Sequence, residues 1–365
     1  MAIKNLWRRK ARTLLTVAGI TVSIAVVVAL LALAEGMMGQ VDGLASGGGA
    51  DVTLMQAGIA DMSFSALGEE LGAAMATMPE VEWVSGLLLN VVPYAPRPFF
   101  LVLGVDPQGA GIRHYAVVRG RSLAADDEVL LGRMAADLFH QGPGDEMVLQ
   151  GQAYRIVGIY ETGGGYEDAG CVLALAEAQR LFRKPDQVSF YQIKLRPTSL
   201  DYATDLIVRI QDRFPGVAAY QSSEFARNAP DIQTLQTIAR GVSLIGLLAG
   251  ALATMNTMLM SVLERTREIG TLRALGWRKQ QVLGLILGES LALSLMGGLA
   301  GLLLGAGLVG LVNLNPALQG AFVGKLDLGV LTSGLAVALG LGLVGGLYPA
   351  WRAVRLQPAE ALRYE

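Results

Sequence analysis

The chain has 365 residues, 52% hydrophobic and 16% charged, with a mean hydropathy of +0.45. Soluble domains carry about 25% charged residues, so this composition excludes an ordinary soluble enzyme; its 46 glycines suit packed membrane helices, whose backbones they let approach closely. The net charge of −2 hides a strong sorting of charge along the chain, the single Cys171 excludes an intrachain disulfide, and His114 and His140 show no metal-ligand spacing.

Residues 1–13 set Lys4, Arg8, Lys10 and Arg12 partly apart from Ile3, Leu6 and Trp7, which predicts a short amphipathic helix on the inner membrane surface. Residues 14–37 form the first of four apolar runs that reach the roughly 20 residues needed to cross a bilayer. This run exceeds a signal-peptide core, and Ala34-Glu35-Gly36-Met37-Met38 offers no clean small-x-small cleavage site, so it reads as an uncleaved anchor. Ser46-Gly47-Gly48-Gly49-Ala50 lacks the strand and helix that a phosphate-binding glycine loop needs and reads as a flexible joint.

Residues 38–230 are too polar for a membrane and alternate strand with helix signals. Strands are expected at 51–56, 81–92, 99–105, 128–131, 147–149, 154–160, 171–173, 189–195 and 217–220, and helices at 65–77, 132–140, 174–182 and 199–214. Residues 51–105 and 189–220 look like matching strand–helix–strand units around a β-rich insertion at 106–188, so two subdomains are expected. Residues 231–262 combine a predicted rigid stalk, with Ile232, Leu235 and Ile238 at near-helical spacing, and the second span. A charged loop at 263–281, spans at 282–312 and 328–347, a short outer loop at 313–327 and a tail at 348–365 complete the chain.

Lysine and arginine place the termini and the 263–281 loop on one side, the cytoplasmic one. Residues 38–235 hold 14 basic and 24 acidic side chains, a net of −10, and belong outside. The expected fold class is therefore membrane α-helical, with four transmembrane helices, plus an α+β extracytoplasmic domain of two subdomains.

No G-x-x-x-x-G-K-[ST], G-x-S-x-G or H-E-x-x-H pattern appears, and the spans hold no Ser/His or Asp/Asp pair, so a non-catalytic chain is expected. Two acids lie within spans, where ionisable groups are expensive and point to function: Glu35 near the outer end of the first, and Glu289 about two turns into the third. Gly246 and Gly250, and Gly297, Gly301 and Gly305, repeat every four residues as helix-packing stripes. The loop Glu264-Arg-Thr-Arg-Glu-Ile-Gly-Thr-Leu-Arg-Ala-Leu-Gly276 is helix-compatible, with breaks expected at Gly270 and Gly276. Such a helix can dock into a partner's groove, with Ile269, Leu272 and Leu275 as the apolar anchor and Arg265, Arg267, Glu268 and Arg273 as orienting and rim contacts.

That loop resembles the coupling loop of the FtsX/MacB family of ABC-transporter permeases. Tyr348-Pro-Ala-Trp-Arg-Ala353 with Pro358-Ala-Glu-Ala-Leu-Arg363 resembles the family's C-terminal signature, and Asn5-Leu-Trp-Arg-Arg-Lys-Ala-Arg-Thr13 its start. The resemblance implies a MacB-like periplasmic core domain and a permease homodimer working with two copies of a separate ATPase subunit. ATP and Mg would be bound by that subunit and no cofactor by this chain. It also implies mechanotransmission, in which ATP-driven motion reaches the outer domain through the stalk to expel a substrate from the periplasm or outer leaflet. A periplasmic adaptor and the lipid bilayer are the further partners, nucleic acid is not, and the inner membrane is the location. The alternatives are an FtsX-like regulator that activates a cell-wall hydrolase without transport, and a lipoprotein-release permease subunit.

Overall fold

The structure, a computed structural model, describes residues 10–59, 62–163, 165–196, 200–228, 230–315, 318 and 323–355. The expected amphipathic helix at 1–13 and the signature residues 358–363 lie largely or wholly outside them. Helix α1 (Lys10–Ala45) precedes β1 (Val52–Gln56), β2 (Leu67–Gly68), α2 (Glu69–Ala76), β3 (Val81–Tyr94), β4 (Arg97–Val105), β5 (Ala116–Gly120) and β6 (Glu128–Gly132). Next come α3 (Arg133–Phe139), β7 (Glu146–Leu149), β8 (Gln152–Glu161), β9 (Cys171–Ala174), α4 (Leu175–Leu181), β10 (Gln187–Val188), β11 (Phe190–Leu195), α5 (Leu200–Arg213), β12 (Val217–Gln221) and α6 (Phe225–Asn228). Four helices close the chain: α7 (Pro230–Glu264), α8 (Thr266–Ala274), α9 (Lys279–Leu314) and α10 (Leu328–Arg355). Two compact units form, one from the chain up to Ala34, Gln236–Leu311 and the chain from Gly324, the other from Glu35–Leu235 with Val312–Val323.

In the mixed unit the strands follow the order β12-β1-β11-β3-β4-β9-β6-β8-β5, with β7 on β8. The first five are those of 51–105 and 189–220, and the rest come from the insertion at 106–188. The two groups share one sheet, joined where β9 runs parallel to β4 from Val102↔Cys171 to Val105↔Ala174. Alternation along the strands explains the layering, since successive side chains point to opposite faces. On one face Leu101, Leu103, Leu130 and Val172 pack with Met37, Met38, Val41, Leu44 and Ala45, the part of α1 that belongs to this unit. On the other face Leu71, Met75, Leu206 and Ile210 of α2 and α5 cover Val52, Leu54 and Ile193, while Ala135 and Ala178 of α3 and α4 cover Val129, Leu131 and Leu173.

The end of α1 is closed by side chains from that sheet. Gln192 donates to the carbonyl of Leu44 at 2.7 Å and Thr53 to that of Ala45 at 3.0 Å, which satisfies two of the orphan acceptors of the last turn. Here the expected flexible joint is corrected. Gly47–Gly49 is a fitted turn with Gly48 at φ 64° and Gly49 at φ 80°. A Cβ on Gly47 would stand 2.8 Å from Gln192 Nε2 and 3.2 Å from the His114 ring, so glycine is needed for close approach rather than for freedom.

Both histidines have structural places. His114 Nε2 lies 3.0 Å from Glu167, whose other oxygen accepts from Tyr115 at 3.2 Å, and His140 ends α3 in the left-handed region at φ 54°. Burial pushes the Cys171 thiol up, which keeps it protonated and unreactive.

Arg97 is the anomaly of the mixed unit. It is 2% exposed, Nη1 donates to the carbonyl of Ala169 at 2.8 Å, and Nε and Nη2 meet no protein partner. Burial lowers its pKa. A buried charge left incompletely paired is destabilising, and exchange for an apolar side chain of similar volume often stabilises by about 1–4 kcal/mol. Arg97→Met is expected to raise the thermal unfolding midpoint of the full chain in detergent, whereas a fall would show that the guanidinium is worth more than its desolvation.

Candidate functional site

Among the described residues four helices are long and apolar enough to cross a membrane, within Thr13–Ala45, Gln236–Glu264, Lys279–Leu314 and Leu328–Arg355. Their contacts are set by small residues. Gly297, Gly301 and Gly305 of α9 lie against Ile20, Ile24 and Val28 of α1, where a Cβ would stand 2.7, 2.7 and 3.0 Å from the facing side chains. Gly250 of α7 is tight against Leu341 at 3.0 Å, but Gly246 is not tight, its nearest atoms being those of Ser23 at 4.0 Å. A second stripe escaped the sequence reading. Ser290, Ser294 and Gly298 of α9 meet Gly346, Gly342 and Ala338 of α10, antiparallel and at four-residue spacing, with Ser290 donating to the carbonyl of Gly342 at 2.7 Å. The signal was present as small residues every fourth position in both helices.

The loop at 263–281 contains α8. Its start is not where glycine suggested: the chain leaves the α7 helix at Arg265 (φ −110°, ψ 17°), and Gly270 is helical and buried. The Thr266 hydroxyl donates to the carbonyls of Val262 and Leu263, at 3.2 and 2.7 Å, and so competes with the backbone pattern that would carry α7 onward. The end follows the expectation. Gly276 sits at φ 95°, its N–H meets the carbonyl of Arg273 at 3.2 Å, and the Trp277 N–H meets that of Leu272 at 3.1 Å, which is the Schellman pattern.

Three residues expected to face a partner turn inward instead. Ile269 is 3% exposed and packs with Met258, Val262, Val282, Ile286, Ala350 and Ala353, because the apolar side of so short a helix is taken by the bundle. Arg265 donates from Nη1 to both oxygens of Glu289, at 2.9 and 3.1 Å, and from Nε to Glu268 at 3.0 Å. Arg273 donates to the carbonyl of Val354 at 2.8 Å, in the last turn of α10, and caps that helix. Arg267, Glu268 and Leu275 are exposed, Leu275 at 76%, and Leu272 is half-buried. Glu289 is buried at 4% and Glu35 half-buried. Two motifs 72 residues apart in sequence, Glu264–Gly276 and Tyr348–Ala353, are thus one packed site, with Arg355 stacked on the Trp351 ring at 3.8 Å beside it.

Residues 13–210 match the MacB-like periplasmic core domain and residues 240–358 the FtsX-like permease C-terminal domain. The chain belongs to the MacB/FtsX family of ABC-transporter permeases. Among curated relatives of this permease chain, it is 29% identical over all its length to the pyoverdine export ATP-binding/permease protein of Pseudomonas savastanoi pv. phaseolicola. It is 27% identical over 96% of its length to the macrolide export ATP-binding/permease protein of Nitrobacter winogradskyi. The chain spans about three fifths of these relatives, 59% and 58% of their lengths. The periplasmic region of MacB from Actinobacillus actinomycetemcomitans is similar with a TM-score of 0.38 and 11% identity, over 49% of this chain and 92% of that one. On the family-model matches and the apolar helices, the mixed unit of the permease is its extracytoplasmic domain and the helical unit its multi-pass membrane part. Among the described residues no group of three or more His, Cys, Asp or Glu side chains could hold a metal ion.

Proposed function

We propose that this permease serves an ABC exporter, with α8 as the coupling helix on which an ATP-hydrolysing partner docks from the cytoplasm. Two permease chains would work with two ATPase subunits that bind ATP and Mg. Hydrolysis there would move the membrane helices, and the helical segment 231–240 would carry that motion to the extracytoplasmic domain. The cargo would be a substrate already in the periplasm or outer leaflet, handed on with or without an adaptor. The observation that carries the reading is the exposed face of α8, where Arg267, Glu268 and Leu275 project from a helix otherwise fixed to the bundle. A rigid helix with one apolar anchor and a charged rim suits groove docking. The relatives' names as ATP-binding/permease export proteins support it.

Arg267→Glu combined with Leu275→Asp is expected to weaken binding of the purified ATPase partner 10- to 100-fold, about 1.4–2.8 kcal/mol. The unfolding midpoint should not move, because both side chains are exposed. Unchanged affinity would remove α8 as the docking element.

A further inference from the structure

We infer that Glu289 is a positioning residue of the coupling device: with Arg265 it latches the start of α8 to α9, so that displacement of α8 is delivered to that membrane helix. The inference rests on the docking role proposed for α8 and adds where the force enters the bundle.

The backbone alone cannot deliver it. Helix α7 ends at Glu264 and Arg265 lies outside helical geometry: its N–H turns to the Val262 carbonyl at 3.2 Å, while its carbonyl accepts the first α8 bond from the Ile269 N–H at 2.9 Å, so the two helices meet at a bend rather than as one rod. At the other end, Gly276 reverses the chain through a left-handed turn. A short helix between two such bends is held to the bundle by its side chains: Ile269 supplies the apolar contact, and two arginines supply the polar ties. Arg273 ties the last turn of α8 to the Val354 carbonyl at 2.8 Å, and Arg265 ties the first to Glu289.

The two ties differ in kind. The first is a single bond to a helix end. The second reaches 10 residues into α9, about 15 Å along its axis at 1.5 Å per residue. Glu289 is 4% exposed, and among the described residues Arg265 is the only cation paired with it. Of its neighbours on α9, Ser290 is committed to the Gly342 carbonyl, while Ile286 shares an apolar cluster with Ile269 of α8, so the ion pair adds a polar tie to that apolar contact. A carboxylate at that depth is costly unless paired, so Arg265 is held to it as firmly as it holds α8. Because Arg265 also bonds Glu268 in the first turn of α8, at 3.0 Å, a shift of α8 draws on Glu289 directly.

The test uses the full chain in lipid nanodiscs and compares wild type, Glu289→Gln, Arg265→Lys and the exchanged pair Arg265→Glu/Glu289→Arg. Amide hydrogen exchange is read first, without a partner. The latch predicts at least tenfold faster exchange in α8 for Glu289→Gln, unchanged exchange in the middle of α7, an intermediate effect for Arg265→Lys and restoration in the exchanged pair. Wild-type protection of α8 in Glu289→Gln would overturn the inference. The same chains are then assembled with the co-purifying ATPase. Hydrolysis within about twofold of wild type, with loss of the nucleotide-dependent change in α9 exchange, is the expected result. If hydrolysis and the α9 response fall together, Glu289 is a folding residue and the inference fails. If no ATPase assembles with wild type, the docking proposal fails, while the first measurement still decides whether the latch exists.

Discussion

Gly301→Leu is expected to break the contact between α1 and α9 and to lower the stability of the membrane bundle by roughly 3 kcal/mol or more. A Cβ at position 301 would stand 2.7 Å from the Cβ of Ile24 and 2.8 Å from the carbonyl oxygen of Thr21, and the three further carbons of leucine have no space at all. Since one contact is with backbone, no rotamer change relieves it, and the two helices must separate along their length. The Thr21 hydroxyl bond to the Gly297 carbonyl, 3.2 Å, would go with them. Gly307→Leu is the control. It lies on the same helix with nothing within 4 Å, and replacing a helical glycine there gains up to about 1 kcal/mol of helix propensity. Thermal unfolding in detergent should show Gly301→Leu strongly lowered and Gly307→Leu unchanged or raised. Equal effects would mean that the glycine stripe does not set the packing.

Gly120→Ala carries the second large effect, in the extracytoplasmic domain. Gly120 closes β5 at φ 84°, and a Cβ there would meet the Val157 carbonyl oxygen at 2.2 Å and the Gly158 Cα at 2.9 Å. The left-handed conformation costs an L-residue about 1–2 kcal/mol, and the backbone collision adds to it, for a total of about 3 kcal/mol. Among the described residues strand β5 pairs with β8 alone, through Gly120↔Gly158 at this point, so the expected failure is loss of that edge. Faster hydrogen exchange at the Arg121 amide, which donates to Val157 at 3.0 Å, would report it. Gly144→Ala separates the two causes. Its φ is 103° but nothing lies within 4 Å of a Cβ, so only the conformational cost of about 1 kcal/mol should appear.

These glycines show what was legible in sequence and what was not. The stripe at 297, 301 and 305 stands out because four-residue spacing keeps one helix face bare, the face that lies against Ile20, Ile24 and Val28. The stripe of Ser290, Ser294 and Gly298 against Gly346, Gly342 and Ala338 was overlooked because serine does not read as a packing residue until its hydroxyl is seen bonded to the Gly342 carbonyl. Strands such as β3, β8 and β11 show in apolar runs with turn residues between. Strand β5 does not, because Ala116–Gly120 is mostly exposed and carries Arg119. The single sheet was hidden by its parallel joint, which pairs residues 69 apart (Val102 with Cys171) and leaves no local trace.

The α8 region was half legible. Charge and apolar spacing identify a helix, and Gly276 its end. They do not say which residues the bundle claims. Arg265 and Arg273 read as surface charge, yet one is bound by a carboxylate 24 residues on and the other by a carbonyl 81 residues on. Gly270 reads as a breaker, yet the break falls at Arg265, where the Thr266 hydroxyl competes for the backbone. The face left for a partner is therefore smaller than the sequence suggests, and Leu275, 76% exposed, is its large apolar side chain.

That residue offers the most direct measurement. In a Cys171→Ser chain, Leu275→Cys and Leu303→Cys place thiols at positions of equal exposure, 76% and 77%, the first at the end of α8 and the second on a membrane helix. Treatment of native membranes with a short thiol–amine cross-linker, followed by mass spectrometry, should join Cys at 275 to an ATP-binding protein. The yield should change when nucleotide is added, and the thiol at 303 should give no such product. If position 275 yields only what position 303 yields, with and without nucleotide, α8 is not a coupling helix and the exporter reading loses its support.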